Sequence, residues 1–495
     1  MRLTLISHAC WLIETPDLTI LTDPVFGEVF QDNLSIPCPT RRFHPDALPE
    51  VDAVFLSHRH HDHFDPPTLA GLARRVPIVI CPQDDQIIDA VTRLGFETVQ
   101  PIKDYQQIAV GDTKLHFTPS TLRRPAEHGL LVTDRDGRIW NQVDTVLKPE
   151  WLPLLRIDGR SLDVHIANFN QIMVTEPLSN GLMRYPYAAY GALLETVRAA
   201  RAKLAIPGAV GFSWVNRGAW LNHTLFPIQH ERFVDDVRGF ENGTHAENCL
   251  PGDVVEVRNG VPSVHRQTRP ELVSTIDPAT LKRIDFNPTR PLPTLIEQDK
   301  ATRITVAVEG RGDLITRQRT VPGIGFASPD ELDKAVDGIL TKVNQRLASD
   351  GYELLKDVLK RWSARMQMTI HFPDGPRVWS CDFTGHHLAF GPGTIEQANY
   401  FLEVTARDLH GVEHGLIWGQ FDITGYRCFH TLYRVREEGI AFPRLPSQFA
   451  RNIEEESGQG DVPTPFDALA VLWEPTTDKF ISRLVDLSLA AEPPR

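Results

Sequence analysis

No two cysteines of this chain form a C-x-x-C pair. The six, Cys10, Cys38, Cys81, Cys249, Cys381 and Cys428, are scattered through 495 residues. That excludes a disulfide framework and fits a reduced, cytoplasmic protein. A run of about 18 apolar residues is also missing, so nothing in the sequence is built to span a membrane. The opening MRLTLISHACWLIETPD is too short and too broken by polar residues for a signal peptide. Positive charge is scarce: 51 Lys and Arg face 64 Asp and Glu, a net of −13. That argues against nucleic acid or an anionic membrane as partner. Internal repeats and low-complexity tracts are absent. What remains, 41% hydrophobic and 23% charged, is ordinary globular composition with material for a large core. The length suggests two or three domains.

Short apolar runs alternate with helical patterns through the first part. Residues 3–6, 11–14 and 18–22 read as strands, the last ending at Asp23-Pro24. Residues 53–56 are apolar throughout, the pattern of a buried strand, and run directly into Ser57-His58. A strand at 77–81 leads to a helix over 84–94 that stops at Gly95. Hairpins turn at Val110-Gly111-Asp112 and at Asp134-Arg135-Asp136-Gly137. This order predicts a layered α/β protein with helices outside the sheets. We divide the chain into a larger α/β domain over 1–240, an extension or linker over 241–330 and a smaller α+β domain over 331–485. The linker is marked by the proline-rich run Asn287-Pro288-Thr289-Arg290-Pro291-Leu292-Pro293. In the smaller domain a hairpin turns at Pro373-Asp374-Gly375 and a helix is expected over 394–409.

The segment after the buried strand reads Ser57-His58-Arg59-His60-His61-Asp62-His63, an H-x-H-x-D-H pattern. Imidazole and carboxylate are ligands for divalent iron and zinc. Alternate residues of an extended loop point the same way, so His58 and His60 can share one metal while Asp62 and His63 face a second. His61 is a neighbour rather than a ligand. Asp23, at a strand end before Pro24, is placed to brace this loop from behind. Asp144, at the end of Ile139-Trp140-Asn141-Gln142-Val143-Asp144, is placed to bridge two metals.

The order Asp23, H-x-H-x-D-H, Asp144 resembles the metallo-β-lactamase superfamily. The resemblance implies an αββα sandwich with two metal ions at one edge of the sheets. It also implies a further histidine on each side of the strand-end aspartate. His128 is the candidate for the first, with Ser120 or Thr121 as alternatives for the slot. At the second, Ile206-Pro207-Gly208-Ala209-Val210 offers no histidine, and His165 or His223 would have to substitute. Within the superfamily, Leu5-Ile6-Ser7-His8-Ala9-Cys10, the Asp144 segment and His414-Gly415-Leu416-Ile417-Trp418 resemble the CMP-N-acetylneuraminate hydroxylases, an oxygenase group with a Rieske [2Fe–2S] domain. A Rieske cluster needs a C-x-H and a C-x-x-H pair. Cys428-Phe429-His430 is the one C-x-H in this sequence, and no C-x-x-H exists. An oxygenase built on this chain therefore needs an external electron donor, or takes its electrons from the substrate.

Two chemistries use these ligands. Two irons would reduce O₂ in a dry pocket. Two zincs would lower the pKa of a bound water to about 7 and hydrolyse an ester, lactone or phosphodiester. The expectation is two divalent metals, iron favoured over zinc, and a diiron oxygenase or hydroxylase ahead of a zinc hydrolase. A degenerate, non-catalytic domain is argued against by the intact His58, His60, Asp62 and His63. Asp62 and His8 are the expected catalytic groups. Arg123 and Arg124 are the expected contacts to a small anionic substrate, because guanidinium matches carboxylate and phosphate; Arg41 and Arg42 form a second such pair.

Overall fold

The computed structural model describes residues 1–28, 30, 35–73, 75–121, 126–147, 149–156, 159–170, 185–208, 211–214, 222, 226–277, 328–361, 364–398, 400–415 and 475–490. Two sheets stack face to face. The first runs Val261–His265, Val254–Arg258, Arg2–Ser7, Cys10–Glu14, Thr19–Thr22, Ala53–Phe55, Ile78–Pro82 and Thr98–Ile102 in spatial order. The second runs His245–Ala246, Leu204–Gly208, Val164–Asn168, Arg138–Asn141, Gly129–Thr133, Thr113–Thr118 and Gln107–Val110.

Alternation decides which side chains fill which layer. Trp11 and Ile13 point between the sheets while Leu12 points out to the helices. Ala53 and Phe55 likewise face inward and Val54 outward. Both faces of this strand are buried, which is why its sequence is apolar throughout. Across the interface the Phe55 and Phe117 rings stack at 5.9 Å. Helices Pro66–Leu72 and Asp85–Leu94 cover one outer face, and Tyr187–Ala200 and His230–Arg238 cover the other. The helix expected over 84–94 forms with Asp84 as N-cap and with Gly95 at φ +96°, the left-handed stop that glycine favours. This is the αββα sandwich of the metallo-β-lactamase fold.

The sandwich draws strands from beyond residue 240. Val254–Arg258 pairs with Arg2–Ser7, and Val261–His265 adds the edge. The edge strand, exposed on alternate residues and containing Pro262, hid this hairpin within the expected linker although Val254, Val255 and Val257 are buried. A separate four-stranded sheet of Gly391–Pro392, Gly375–Asp382, Arg365–Phe372 and Tyr400–Thr405 packs on helices Pro329–Ala348 and Ala406–Glu413. This is the second, smaller α+β unit. Part of the helix expected over 394–409 is the strand Tyr400–Thr405, in which aromatic and β-branched residues prevail. The helix begins only after Thr405, which forms a capping box with Asp408. The proline-rich run 287–293, Trp418, Cys428 and His430 lie outside the described residues.

Candidate metal centre

The strand Ala53–Phe55 delivers the H-x-H-x-D-H loop to the edge of the sandwich, and Asp23, at the end of the neighbouring strand, fastens it. Asp23 is buried. Its Oδ1 accepts the Ser57 N–H at 2.7 Å, and its Oδ2 accepts the Ser57 hydroxyl at 2.7 Å and His63 Nδ1–H at 2.9 Å. A carboxylate only accepts, so the His63 proton is on Nδ1 and the Nε2 lone pair faces the centre. Ser57 Oγ, having given its proton to Asp23, accepts from His58 Nδ1 at 2.9 Å. That leaves His58 Nε2 free as well. Asp23 therefore sets the tautomers of two histidines, one directly and one through Ser57.

The inward atoms converge. His58 Nε2 is 2.8 Å from His60 Nδ1. Such a separation is about the edge of a coordination shell whose metal–nitrogen bonds are ~2.1 Å. Asp144 Oδ2 stands 3.3 Å from His63 Nε2 and 3.8 Å from His58 Nε2. Asp62 Oδ2 is 3.6 Å from His63 Nε2. Ligand atoms gather in three overlapping sets: His58, His60 and Glu127; His58, His63 and Asp144; His8, Asp62 and His63. His63 Nε2 is buried and, among the described residues, faces only the carboxylates Asp144 and Asp62, without a well-formed hydrogen bond. A buried nitrogen of this kind is costly unless something else, such as a metal, takes its lone pair. The loop's one guanidinium, Arg59, is turned to Asp84 at 3.1 Å, and so leaves the carboxylates Asp62, Asp144 and Glu127 to other cations. The donor set fits a pair of divalent ions.

Without metal the charges redistribute. Burial, helped by His63 and His60, holds the His58 proton affinity well below the usual imidazole range. Burial also lowers His60, against the pull of Asp62 and Asp144. At His63 burial acts the same way, but Asp62, Asp144 and Asp23 outweigh it and raise its pKa well above the ordinary value. Burial would raise Asp62, yet His63 and His8 pull it well below the usual carboxylate range. Glu127 is raised well above its ordinary value by burial and by Asp144.

The other expected residues divide. Asp144 sits on a turn tied by Thr145 Oγ1–H to Gln142 O at 2.6 Å and by Gln142 Nε2–H to Thr145 O at 2.8 Å. Val143 within that turn has φ +55°. A β-branched residue in this region is a genuine outlier, and left-handed His8 (φ +44°) and Asp23 (φ +37°) also flank the centre. His8 Nδ1 accepts the Gly211 N–H at 3.1 Å, so its Nε2–H donates to Asp62 Oδ2 at 3.1 Å. That places His8 behind Asp62.

His128 enters none of the three ligand sets. Its Nε2 meets Asp104 Oδ1 at 3.1 Å, and its backbone N–H bonds to Ser57 O. Adjacent side chains of an extended segment face opposite ways, and here Glu127 takes the inward side. Glu127 was missed because the expected residue type was histidine. The available signal was a carboxylate just before the apolar strand Gly129–Thr133. Its Oε2 accepts from Ser120 Oγ at 3.1 Å; Ser120 itself supports Glu127 rather than filling the slot. His165 is a core residue, stacked on Trp140 at 4.4 Å and bonded to Gln142 Oε1 at 2.8 Å. Burial drops its pKa to about 3. Arg41 is fully buried and donates to Val25 O and Phe26 O at 2.7 and 3.2 Å, so it shapes the backbone after Asp23 and cannot grip a substrate anion. Arg123, Arg124 and His223 lie outside the described residues.

Residues 2–137 match the family model of the beta-lactamase superfamily domain. A Mycolicibacterium smegmatis protein named as a Rieske 2Fe-2S iron-sulfur protein is 31% identical over 183 residues, 34% of each chain. The cytidine monophosphate-N-acetylneuraminic acid hydroxylase of Asterias rubens is 33% identical over 78 residues, 16% of this chain and 12% of that one. The chain thus spans 34% of the first of these relatives and 12% of the second. Among solved structures, it is similar to the diiron β-hydroxylase CmlA of Streptomyces venezuelae (19% identity, 54% of each chain, TM-score 0.37). It is also similar to an isothiocyanate hydrolase from Delia radicum gut bacteria (16% identity, 52% of this chain and 100% of that one, TM-score 0.36). No helix among the described residues is long and apolar enough to cross a membrane. With the sandwich, the match over residues 2–137 and the converging ligand sets together, the N-terminal part of this chain carries a beta-lactamase superfamily domain with the donors for a metal centre.

Proposed function

We propose that the chain is a dinuclear iron oxygenase that hydroxylates a small anionic substrate. The observation that carries this reading is the set His58, His60 and Glu127. Two histidines and one carboxylate with open positions is a donor set of non-haem iron(II) oxygenases and also of zinc hydrolases; a carboxylate where the superfamily resemblance implies histidine is what favours iron. His63 and Asp62 would hold the second ion, with Asp144 between the two. Bound there, iron supplies the redox capacity to reduce O₂, which the side chains lack.

The chain's own residues supply order and access. Asp23 and Ser57 fix His63 and His58 with their Nε2 atoms inward, and Gly211 and His8 fix Asp62. The side chains of His58 and His63 are 1% and 0% exposed, whereas that of Asp144 is 35% exposed. The open side is therefore at Asp144, and substrate approaches there. Arg123 and Arg124 fall in sequence between Ser120 and Glu127, both of which stand at the centre. That position supports a contact with an anionic substrate. Hydroxylation of a C–H bond by O₂ consumes two electrons and two protons and yields one water. The name of the Mycolicibacterium smegmatis relative supports an iron–sulfur protein as the electron donor. Cys10, Cys38, Cys81, Cys249 and Cys381 form no disulfide among the described residues, which suits a reducing cytoplasm.

The test is O₂ uptake by reduced, iron-loaded protein, with loss of uptake in His58→Ala. Turnover of an ester, lactone or phosphodiester by zinc-loaded protein under anoxia would replace this reading with that of a zinc hydrolase.

A further inference from the structure

Helix Pro475–Ala490 belongs by sequence to the C-terminal part of the chain but docks on the metal domain. Ile481 and Val485 are buried in the same apolar cluster as Phe64, Leu69 and Leu72. Arg93 donates to Ser482 Oγ at 2.9 Å and to Asp486 Oδ1 at 2.5 Å. On the other side, Lys479 donates to the Glu413 carbonyl at 2.8 Å, and the Glu413 carboxylate also takes Lys342 of the smaller domain.

At its inner edge the helix meets the ligand loop. The Phe480 ring, 3% exposed, stacks on the His61 ring with centroids 5.0 Å apart and planes 21° from parallel. His61 enters none of the three ligand sets, yet it lies between His60 and Asp62. These residues form one isolated turn, closed by the His63 and Phe64 N–H groups bonding to His60 O at 2.9 and 2.7 Å. A single turn is marginal by itself, because nucleation fixes several residues for one or two bonds. Metal ligands, however, must be held to within roughly 0.5 Å. Packing from outside has to supply that order.

We infer that Phe480 is a positioning residue of the metal centre: the C-terminal helix clamps His61 and thereby fixes the spacing of His60 and Asp62. The clamp rests on the metal reading above only for its consequence, not for its geometry. Two measurements on the full chain test it. The first is the rate at which cobalt(II)-loaded protein gives up metal to a chelator. Phe480→Ala should release metal about 10–100-fold faster, the usual range for residues that orient ligands. Phe480→Trp, which keeps a stacking ring, should stay close to the wild type. Val485→Ala, buried on the same helix, should lower the melting temperature without changing release. Unchanged release in Phe480→Ala, or release that rises in both alanine variants in proportion to lost thermal stability, overturns the inference. The second is amide hydrogen exchange in metal-free protein, comparing the wild type with Phe480→Leu, which keeps apolar volume but no ring. The His63 and Phe64 amides should exchange faster in Phe480→Leu; equal exchange overturns the clamp. If the wild type binds no metal but this difference appears, the clamp stands and the metal reading fails.

Discussion

Replacing Asp23 by asparagine exchanges one oxygen for an NH₂ group and changes almost no volume, yet it should dismantle half of the centre. The carboxylate accepts three hydrogen bonds, at 2.7, 2.7 and 2.9 Å, from Ser57 N, Ser57 Oγ and His63 Nδ1. An amide oxygen can keep the backbone bond, but the amide NH₂ then faces Ser57 Oγ and His63 Nδ1. His63 must respond by carrying its proton on Nε2, the atom that faces the metal, or by leaving a buried clash of donors. Charge-assisted bonds contribute about 1.5–3 kcal/mol each, and a buried unmatched donor costs about 1–3 kcal/mol. Losing the correct tautomer therefore costs roughly 1.5–3 kcal/mol of metal binding, or about 10–100-fold in affinity. The assay is chelator competition under anoxia, followed to both equivalents of metal. Asp23→Asn should bind one equivalent much more weakly, and Asp23→Ala should in addition lose thermal stability. Two equivalents bound by Asp23→Asn with wild-type affinity would refute the argument that Asp23 acts through the His63 tautomer.

Other residues separate in the same assay. Glu127→Ala should lose roughly one metal equivalent per chain, whereas His128→Ala, whose ring meets Asp104, should keep both. His8→Ala should weaken the Asp62 side of the centre about tenfold or more, with His8→Gln restoring most of it by keeping an N–H donor near Asp62. A His8 that ligates metal directly would not be rescued by glutamine. Metal uptake should release protons. His63 and Glu127 have raised pKa values and keep protons to higher pH, while His58 and His60 have lowered values and shed them at lower pH. Release should vanish as pH rises through the raised values, as measured by calorimetry in buffers of different ionisation enthalpy.

Much of the centre was legible because its residues are local. His58, His60, Asp62 and His63 lie in one loop after an apolar strand, and Asp23 ends the next strand of the same sheet. The sequence did not reveal Glu127, because a buried carboxylate and an exposed one look alike until a strand direction is known. Nor did it separate His8 from the ligands: the Gly211 N–H that sets its tautomer is 203 positions away. Strands 254–258 and 261–265 escaped because the second is half exposed and only its partner's backbone gives it an address. The role of Phe480 lies beyond any local pattern, since it stacks on a residue from the opposite end of the chain.

A pair of iron ions held by histidine and carboxylate underlies the proposed chemistry. Its direct test is elemental analysis of the protein purified from iron-supplemented cells, expressed as iron and zinc per chain. Close to two irons per chain are expected, falling by about half in Glu127→Ala. One or two zincs with little iron, unchanged in that variant, would contradict it.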